Sequence, residues 1–527
     1  MDSPVSPDKQ RLMLDARRAF QQRFPLIPAA HSLDGRRFTF HAPIGIDLEP
    51  GRYVRLDLQD GAALLGQVLE TEVEQLESTE VRVDNANAQG ITVPGLAFGD
   101  ALLRLRRNGL RGGGIILGHL DPASTAAIRA FDDAGIAPAT VTQVTAHFEA
   151  WTAAHRMMTV GSVTFPDGTM PAQIDPAGFN RHTFLCGQSG SGKTYSLGVV
   201  LEQLLLNTDL RMVILDPNAD FVRLNDVVAG DVANPASARY ADRVRDLLVY
   251  RTGPVRDGEH PLRIKFSSLP PDDQARALQM DPLADREEFH TLRTLLRSFG
   301  DNPYDLDDIR HAASETLTET ARAVTLRIAN LGVGDWSVWA KPGESSLADL
   351  LATPWRSVVL DVSRFARPIE RSVVALAMLR TFWRQRERRN PVLIVIDEAH
   401  NVCPATPEDA IQKAATDLMV TIAGEGRKYG IYLLVSTQRP DKLHPNVLSQ
   451  CDNLMLMRMN SQTDLDDLAT IFSFVPKGML DRAATFRQGE ALFAGKIVPA
   501  PRLLRVGKRL SAEGGADVPT TWATPAS

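Results

Sequence analysis

The chain has 527 residues, of which 44% are hydrophobic and 23% are charged, a composition typical of a globular protein long enough for two to four domains. Its 58 basic and 64 acidic residues leave a net charge of −6, which excludes a uniformly basic nucleic-acid-binding surface but not a basic channel inside a ring. No segment approaches the roughly 20 apolar residues that span a bilayer, so the composition excludes an integral membrane protein.

Two further features predict a cytoplasmic protein. The first residues, Met1–Ser6, lack the basic and then apolar pattern of a secretory signal. The three cysteines, Cys186, Cys403 and Cys451, lie far apart in the chain. They lack the close spacing of metal ligands and are predicted to be reduced, buried thiols.

Capping residues and apolar spacing divide the first 157 residues into two parts. Ser6–Asp8 is typical of a helix cap, and the spacing after it predicts a helix from Lys9 to Phe24 within an N-terminal segment, 1–30. Residues 31–157 are predicted to form a small β-barrel-like domain with a helical end over 123–157, because short strands and turns dominate its first part. The predicted strands are Arg37–His41, Tyr53–Leu58, Leu64–Leu69 and Ile115–Gly118.

From residue 158 onward, apolar strands alternate with helical segments, which predicts an α/β fold with a parallel sheet covered on both faces. This core is predicted over 158–255 and 341–510, with a strand-rich lead-in over 158–180. A polar, proline-interrupted segment, 256–340, is predicted to be a helical insertion, and the tail 511–527 to be disordered. The predicted core elements are strands at His182–Cys186, Arg211–Leu215, Ser357–Val362, Val392–Ile396 and Ile431–Val435, and a helix over 368–388.

A phosphate-binding loop is the most specific motif of the sequence. It follows a predicted strand and precedes an apolar helix, which is the context that this motif requires. Backbone N–H groups of such a loop surround a triphosphate at the helix N-terminus. Lys193 would reach the β- and γ-phosphates and Thr194 would hold Mg²⁺, so the loop predicts binding of ATP with Mg²⁺. The loop residues are Gly187, Gln188, Ser189, Gly190, Ser191, Gly192, Lys193 and Thr194.

Two adjacent carboxylates, Asp397 and Glu398, follow the predicted strand Val392–Ile396. Asp397 would hold Mg²⁺, directly or through water, and Glu398 would act as the general base that activates the attacking water. The pair therefore predicts ATP hydrolysis and not nucleotide binding alone. A capped turn after a buried strand is the alternative interpretation.

Four further residues are candidates on weaker patterns. Gln438 follows a core strand and could contact the γ-phosphate, and Asp216 ends another strand and could orient water or metal. A polar strand cap and an ordinary turn are the respective alternatives. Arg181 and Arg427 each precede a core strand, and arginine suits stabilisation of a phosphoryl-transfer transition state, often from a neighbouring subunit. A surface ion pair would explain each arginine equally well.

Two basic clusters, 104–111 and 384–389, complete the set of candidate features. The first could follow a phosphate backbone electrostatically. The second is typical of a helix end, where positive charge complements the helix dipole. A charged, solvent-exposed face is the alternative for both.

With these motifs in place, the chain resembles the HerA-type bipolar DNA translocases of the HerA/FtsK group of RecA-like ATPases. The resemblance covers roughly 158–507 and depends on the order of its motifs more than on any one of them. One departure lies after Asp216, where the family commonly has Asp-Pro-His-Gly-Glu-Tyr and this chain has Asp-Pro-Asn-Ala-Asp-Phe, which leaves the roles of the later side chains open. The matching motifs are His182–Thr194, Ile214–Phe221, Ile396–His400, Glu425–Gly430, Val435–Pro440 and Leu480–Gly495.

The resemblance implies a RecA-like P-loop ATPase core in a homohexameric ring, with ATP sites at subunit interfaces and double-stranded DNA in the central channel. It also implies that the arginines at the positions of Arg181 and Arg427 act on the nucleotide. The function expected is an ATP-dependent DNA translocase or helicase that works with a nuclease or another effector in DNA end processing or phage defence.

Two other functions stay open at this point. One is an ATPase ring that serves as scaffold and regulator of a separate effector enzyme, with DNA incidental. The other is a coupling ATPase of conjugation or secretion machinery, which the lack of a predicted transmembrane anchor disfavours.

Overall fold

The computed structural model describes residues 25–81, 103–154, 156–228 and 235–515. The predicted helix from Lys9 to Phe24 lies outside these residues. The chain divides into two compact units. The first comprises Met1–Ala154, Thr164–Met170 and Pro476–Arg482, and the second comprises His155–Val163, Pro171–Val475 and Ala483–Ser527.

The first unit contains a closed antiparallel barrel of six strands, in the order β1-β2-β5-β4-β3-β6. The expectation of a small β-barrel is confirmed. Two helices belong to the same unit, α1 (Val141–Ala154) and the short α13 (Lys477–Asp481). The strands are β1 Ala29–Ser32, β2 Arg37–Ala42, β3 Tyr53–Asp57, β4 Ala63–Val81, β5 Leu103–His119 and β6 Phe131–Pro138.

The barrel core follows from alternation along β2, where Phe38, Phe40 and Ala42 are buried because side chains of a strand point alternately inward and outward. The two aromatic rings are accommodated by glycines on β5. A Cβ added to Gly114 would lie 2.3 Å from Cζ of Phe38, and one added to Gly112 would lie 2.5 Å from Cζ of Phe40. These glycines are therefore required for the rings to fill the barrel.

The helical prediction for 123–157 is wrong over its first half. Residues Phe131–Pro138 form strand β6, and only Val141–Ala154 is helical. Strand β6 pairs with both β1 and β3 and thereby closes the barrel. Pairing on both edges outweighs the local helical spacing, which carries no information about distant strands.

The second unit is built on a twelve-stranded sheet in the order β12-β11-β13-β10-β14-β15-β9-β16-β17-β18-β7-β8. From β12 to β16 every neighbouring pair is parallel, and β17 and β18 add antiparallel strands. The strands are β7 Met158–Phe165, β8 Gly168–Ile174, β9 His182–Cys186, β10 Arg211–Asp216, β11 Leu247–Arg251, β12 Glu259–Pro261, β13 Ser357–Asp361, β14 Val392–Ile396, β15 Ile431–Thr437, β16 Cys451–Leu456, β17 Glu490–Gly495 and β18 Arg502–Val506.

The parallel sheet predicted from apolar runs is confirmed, since β9, β13 and β14 are buried at every position. An α/β fold with a parallel sheet is thus established by the structure. The helices of this unit are α2 Lys193–Asn207, α3 Pro235–Arg243, α4 Pro271–Ala277, α5 Arg286–Ser298, α6 Leu306–Glu315, α7 Glu319–Leu331, α8 Leu347–Ala352, α9 Pro368–Arg384, α10 Ala410–Glu425, α11 Pro445–Leu448 and α12 Gln462–Ile471.

Two segments of this unit add detail to the predicted organisation. The segment 256–340 holds helices α4 to α7 and also strand β12, which pairs in parallel with β11 at the edge of the sheet. The prediction of a disordered tail from residue 511 is wrong for its first residues. Ser511 is 1% exposed and bridges to Val227, because its backbone and hydroxyl bind a buried carboxylate, Glu202.

Within the described ranges, no helix combines the length and the apolar character needed to cross a membrane. The three cysteines are free and buried, as predicted.

Candidate nucleotide-binding site

The phosphate-binding loop connects β9 to α2 at the carboxyl end of the parallel strands. Gly190 and Gly192 have φ angles of 73° and 89°, in the left-handed region that favours glycine. A Cβ added to Gly187 would lie 2.5 Å from Cβ of Met457. These three glycines therefore let the loop wrap tightly around the N-terminus of α2, where backbone N–H groups favour an anion.

Lys193 is the first residue of α2 and is 4% exposed. Its Nζ lies 2.7 Å from Oδ1 of Asp397 and 3.1 Å from Oε1 of Glu398, and it donates to Oγ of Ser436 at 3.0 Å. Burial alone would lower the pKa of Lys193, but the two carboxylates outweigh burial and raise it. The structure thus brings the loop lysine and both predicted carboxylates together.

Glu398 has a left-handed backbone, with φ of 46°, a conformation that costs a non-glycine residue on the order of 1–3 kcal/mol and is common at functional sites. Nε2 of Gln438 donates to Oε1 of Glu398 at 2.9 Å. On the other side, Nδ1 of His400 lies 3.4 Å from Oε2 of Glu398 and 2.9 Å from Oγ1 of Thr437. Gln438 therefore orients Glu398, and the sequence-based γ-phosphate contact stays a prediction.

The donor set fits a bound magnesium nucleotide. Among the described residues, Oδ2 of Asp397 and Oγ of Ser191 are buried and have no hydrogen-bond partner. Such orphaned acceptors are rare unless an ion, ligand or water satisfies them. Asp397 and the hydroxyl of Thr194, in the first turn of α2, would hold Mg²⁺, which prefers oxygen ligands, and the loop N–H groups would hold the phosphates.

Asp216 lies at the carboxyl end of β10, but its carboxylate is engaged by its own turn. It accepts backbone N–H bonds from Asn218, Asp220 and Phe221 at 3.2, 3.1 and 2.8 Å. Burial raises the pKa of Asp216 to about 7. The geometry favours the turn-capping alternative for this residue over a direct role in binding metal.

Asp220 is a residue that motif analysis left open. Burial is the main cause of its raised pKa, and the carboxylate of Asp397 raises it further while Lys193 opposes this. Asp220 is therefore electrostatically coupled to the site. The acidic residue that the family has at this position was the available signal, although Asp replaces Glu here.

Arg181 and Arg427 lie together, but not at the phosphate-binding loop of their own chain. Nε of Arg181 lies 3.4 Å from Oδ2 of Asp452, and Nη1 of Arg427 lies 2.5 Å from the same oxygen. Arg181 precedes β9 whereas the loop follows it, so the five residues of the strand, about 17 Å at 3.3 Å per residue, separate them. The arginines therefore lie at the amino ends of the parallel strands, whereas the loop lies at their carboxyl ends.

The first basic cluster lies in the barrel unit, on β5, and the second begins on helix α9. In the β4–β5 ladder, Glu80 is the backbone partner of Arg104, and Glu77 is the backbone partner of Arg107. The second cluster begins at Arg384, the last residue of α9, which fits the predicted helix end. A further basic residue, Lys413, lies in α10 and pairs with Asp417 at 3.0 Å.

Comparison with known families identifies two regions of the chain. Residues 158–331 match the family "Helicase HerA, central domain", and residues 343–459 match "ATPase family associated with various cellular activities (AAA)". The first region contains the phosphate-binding loop, and the second contains Asp397, Glu398, Arg427 and Gln438.

Individual relatives of the chain carry the name of the first family. The chain is 23% identical over 368 residues to the "DNA double-strand break repair helicase HerA" of Pyrococcus furiosus, covering 62% of this chain and 65% of that protein. It is 30% identical over 128 residues to the "Probable DNA double-strand break repair helicase HerA" of Methanocaldococcus jannaschii, covering 24% of this chain and 25% of that protein. The match thus spans less than two thirds of either relative.

Among solved structures, VirB4 of Thermoanaerobacter pseudethanolicus is 16% identical with a TM-score of 0.47, covering 66% of this chain and 96% of that chain. This likeness is too distant to bear on function. The family and its relatives, together with the motifs placed in the structure, confirm the resemblance seen in the sequence. Through residues 158–331, the chain is similar to the family of the HerA helicase central domain.

Proposed function

We propose that this chain is the ATP-hydrolysing subunit of a homohexameric ring that moves along double-stranded DNA. The proposed ring acts in the cytoplasm with a nuclease or another effector, in DNA end processing or phage defence. The relatives are named as DNA double-strand break repair helicases, which supports double-stranded DNA as the polymer along which the proposed ring moves.

The observation that carries the proposal is the buried cluster of Lys193, Asp397, Glu398 and Gln438. Mg²⁺ bound by Thr194 and Asp397 would neutralise charge on the phosphates. Lys193 would exchange its carboxylate partners for phosphate oxygens. Glu398 would then be free to accept a proton from water, with Gln438 holding its Oε1 in place.

The position of Arg181 and Arg427 supports an assembly of several subunits. Both lie at the amino ends of the parallel strands, away from their own phosphate-binding loop, and there they share Asp452. A guanidinium there can reach a nucleotide only in another subunit, which is the arrangement by which arginines stabilise transferring phosphoryl groups in trans.

The test is the ATPase rate with and without long double-stranded DNA, measured at several stated salt concentrations because phosphate contacts weaken with salt. We expect DNA to stimulate hydrolysis and ATP to drive displacement of a triplex strand. Hydrolysis without stimulation or displacement would instead support the ATPase scaffold of a separate effector.

Two variants serve as controls for this assay. Glu398→Gln should bind ATP normally but hydrolyse it about 10²–10⁴-fold more slowly, the usual loss on removal of a general base. Lys193→Ala should lose ATP binding as well as hydrolysis. Normal turnover in Glu398→Gln would remove the assigned base from the proposal.

A further inference from the structure

A segment after β16, residues 457–460, is fixed against the first half of the phosphate-binding loop. The backbone N–H of Met457 donates to the backbone carbonyl of Cys186 at 2.8 Å, and that of Gln188 donates to the carbonyl of Arg458 at 3.0 Å. The backbone N–H of Asn460 donates to Oε1 of Gln188 at 3.1 Å. Arg458 therefore keeps a defined position relative to the loop.

The guanidinium of Arg458 lies beside the tip of the loop without a carboxylate partner. Its Nη2 lies 3.4 Å from the carbonyl oxygen of Gly190, at the long limit for a hydrogen bond. Its Nε is buried and lacks a hydrogen-bond partner among the described residues. A partly buried cation with an unsatisfied donor is costly unless an acceptor reaches it.

Arg458 differs in this respect from the two arginines singled out by sequence motifs. Arg181 and Arg427 share the carboxylate of Asp452 and lie at the amino ends of the parallel strands. No described carboxylate lies within ion-pairing distance of Arg458, and its neighbour is the loop of its own chain. The guanidinium offers planar, paired N–H donors, which match phosphate oxygens in geometry and charge.

We propose that Arg458 is a nucleotide-binding residue that contacts a phosphate of the nucleotide held by its own phosphate-binding loop. This inference rests on the proposed function, since it assumes that the loop binds ATP. It assigns to β16 and the segment after it a part in the site that none of the recognised motifs contains. ADP retains the phosphates nearest the loop, so Arg458 should contact bound ADP as well as bound ATP.

The test is calorimetric titration of the full-length protein with ADP and with a slowly hydrolysed ATP analogue. Arg458→Ala should weaken both affinities by about tenfold or more, the scale of one lost charge-assisted hydrogen bond. Arg458→Lys, which keeps the charge, should have nucleotide affinities between those of the wild type and those of Arg458→Ala. Arg322→Ala, which removes an exposed arginine on α7, should match the wild type and is the control.

Each outcome has a distinct meaning. ADP binding by Arg458→Ala and Arg458→Lys as tight as that of a binding-competent wild type would overturn the inference while leaving the proposed function intact. A wild type that binds neither nucleotide would overturn the proposed function itself. Restored ADP affinity on mixing Arg458→Ala with Lys193→Ala subunits would show action across an interface and overturn the assignment to the same chain.

Discussion

At the residue scale, the buried charges of the site explain how the chain holds itself ready for a ligand. Lys193 stays protonated in a buried position because Asp397 and Glu398 surround it. The left-handed backbone of Glu398 aims its carboxylate at this cluster. A phosphate must compete with two carboxylates for Lys193, so binding redistributes existing ion pairs and does not desolvate a free charge.

His182, at the start of β9, should make the stability of the protein depend on pH. Its Nδ1 accepts the N–H of Leu433 and its Nε2 donates to the carbonyl of Ala423, each at 3.0 Å, so the folded protein holds the ring neutral. Burial, with a smaller contribution from the charge of Arg427, lowers the pKa of His182 from 6.5 to about 4.

The lowered pKa gives a stability contribution with a defined sign. Between pH 6.5 and about 4 the unfolded chain binds more protons at His182 than the folded chain does. The contribution, about 3 kcal/mol, is therefore fully present above pH 6.5 and is lost as the pH falls to about 4. Urea unfolding from pH 7 to pH 4 should show a steeper loss of stability in wild type than in His182→Gln. Parallel curves for the two proteins would refute this.

At the element scale, the helix of the phosphate-binding loop is anchored from behind by the segment 509–511. Nε of Arg509 donates to Oε1 of Glu202 on α2 at 3.0 Å, and the N–H of Leu510 donates to Oε2 at 2.7 Å. Both charged side chains are almost fully buried. The residues that follow this segment support the turn after β10, since the backbone N–H of Gly514 donates to the carbonyl of Asp220 at 3.1 Å.

The anchor predicts a large effect on stability. Arg509→Met should lower the free energy of unfolding by about 3–5 kcal/mol, because it leaves the carboxylate of Glu202 buried without a counter-charge. Arg509→Met combined with Glu202→Gln should recover part of that loss. Lys413→Ala, which breaks the exposed Lys413–Asp417 pair, should change stability by less than about 0.5 kcal/mol. Equal urea midpoints for Arg509→Met and Lys413→Ala would contradict the prediction.

Elements with strong local signals were predictable from the sequence, and elements defined by distant partners were not. Strands β9 and β14 agree with their predicted bounds because uninterrupted apolar runs mark them. The barrel-closing strand β6 was missed because its two partners, β1 and β3, precede it by many residues. The segment at Ser511 was missed for the same reason, since its partner is Glu202.

The candidate site divides in a similar way. The loop lysine and the carboxylates Asp397 and Glu398 lie in recognisable motifs, and the structure brings them together. Arg458 carries no motif, and only the pairing of β16 with β9 places it beside the loop. The contact between Gln438 and Glu398 likewise depends on the order of strands in the sheet, which local patterns do not specify.

At the scale of the whole molecule, the separation of the arginines from their own loop predicts that activity is shared between subunits. Lys193→Ala and Arg427→Ala proteins should each be inactive alone. When they are mixed one to one, about a quarter of the interfaces should combine an intact loop with an intact arginine, if assembly is random and head-to-tail. The ATPase rate of the mixture should therefore rise towards a quarter of the wild-type rate.

The control for this experiment is Lys193→Ala mixed with the double variant Lys193→Ala and Arg427→Ala, in which no intact loop exists. It should stay inactive. A mixture of the two single variants that is no more active than this control, although the subunits assemble together, would show that Arg427 does not act across the interface.

The shared carboxylate of Asp452 also constrains how copies of the chain can meet. Two guanidiniums and one carboxylate leave this patch with one uncompensated positive charge, since two positive charges and one negative charge sum to +1. Two identical patches facing one another across a two-fold axis would repel. The patch therefore disfavours a symmetric face-to-face dimer and favours a contact in which each copy presents it to a different surface of the next, the kind of contact whose repetition closes a ring.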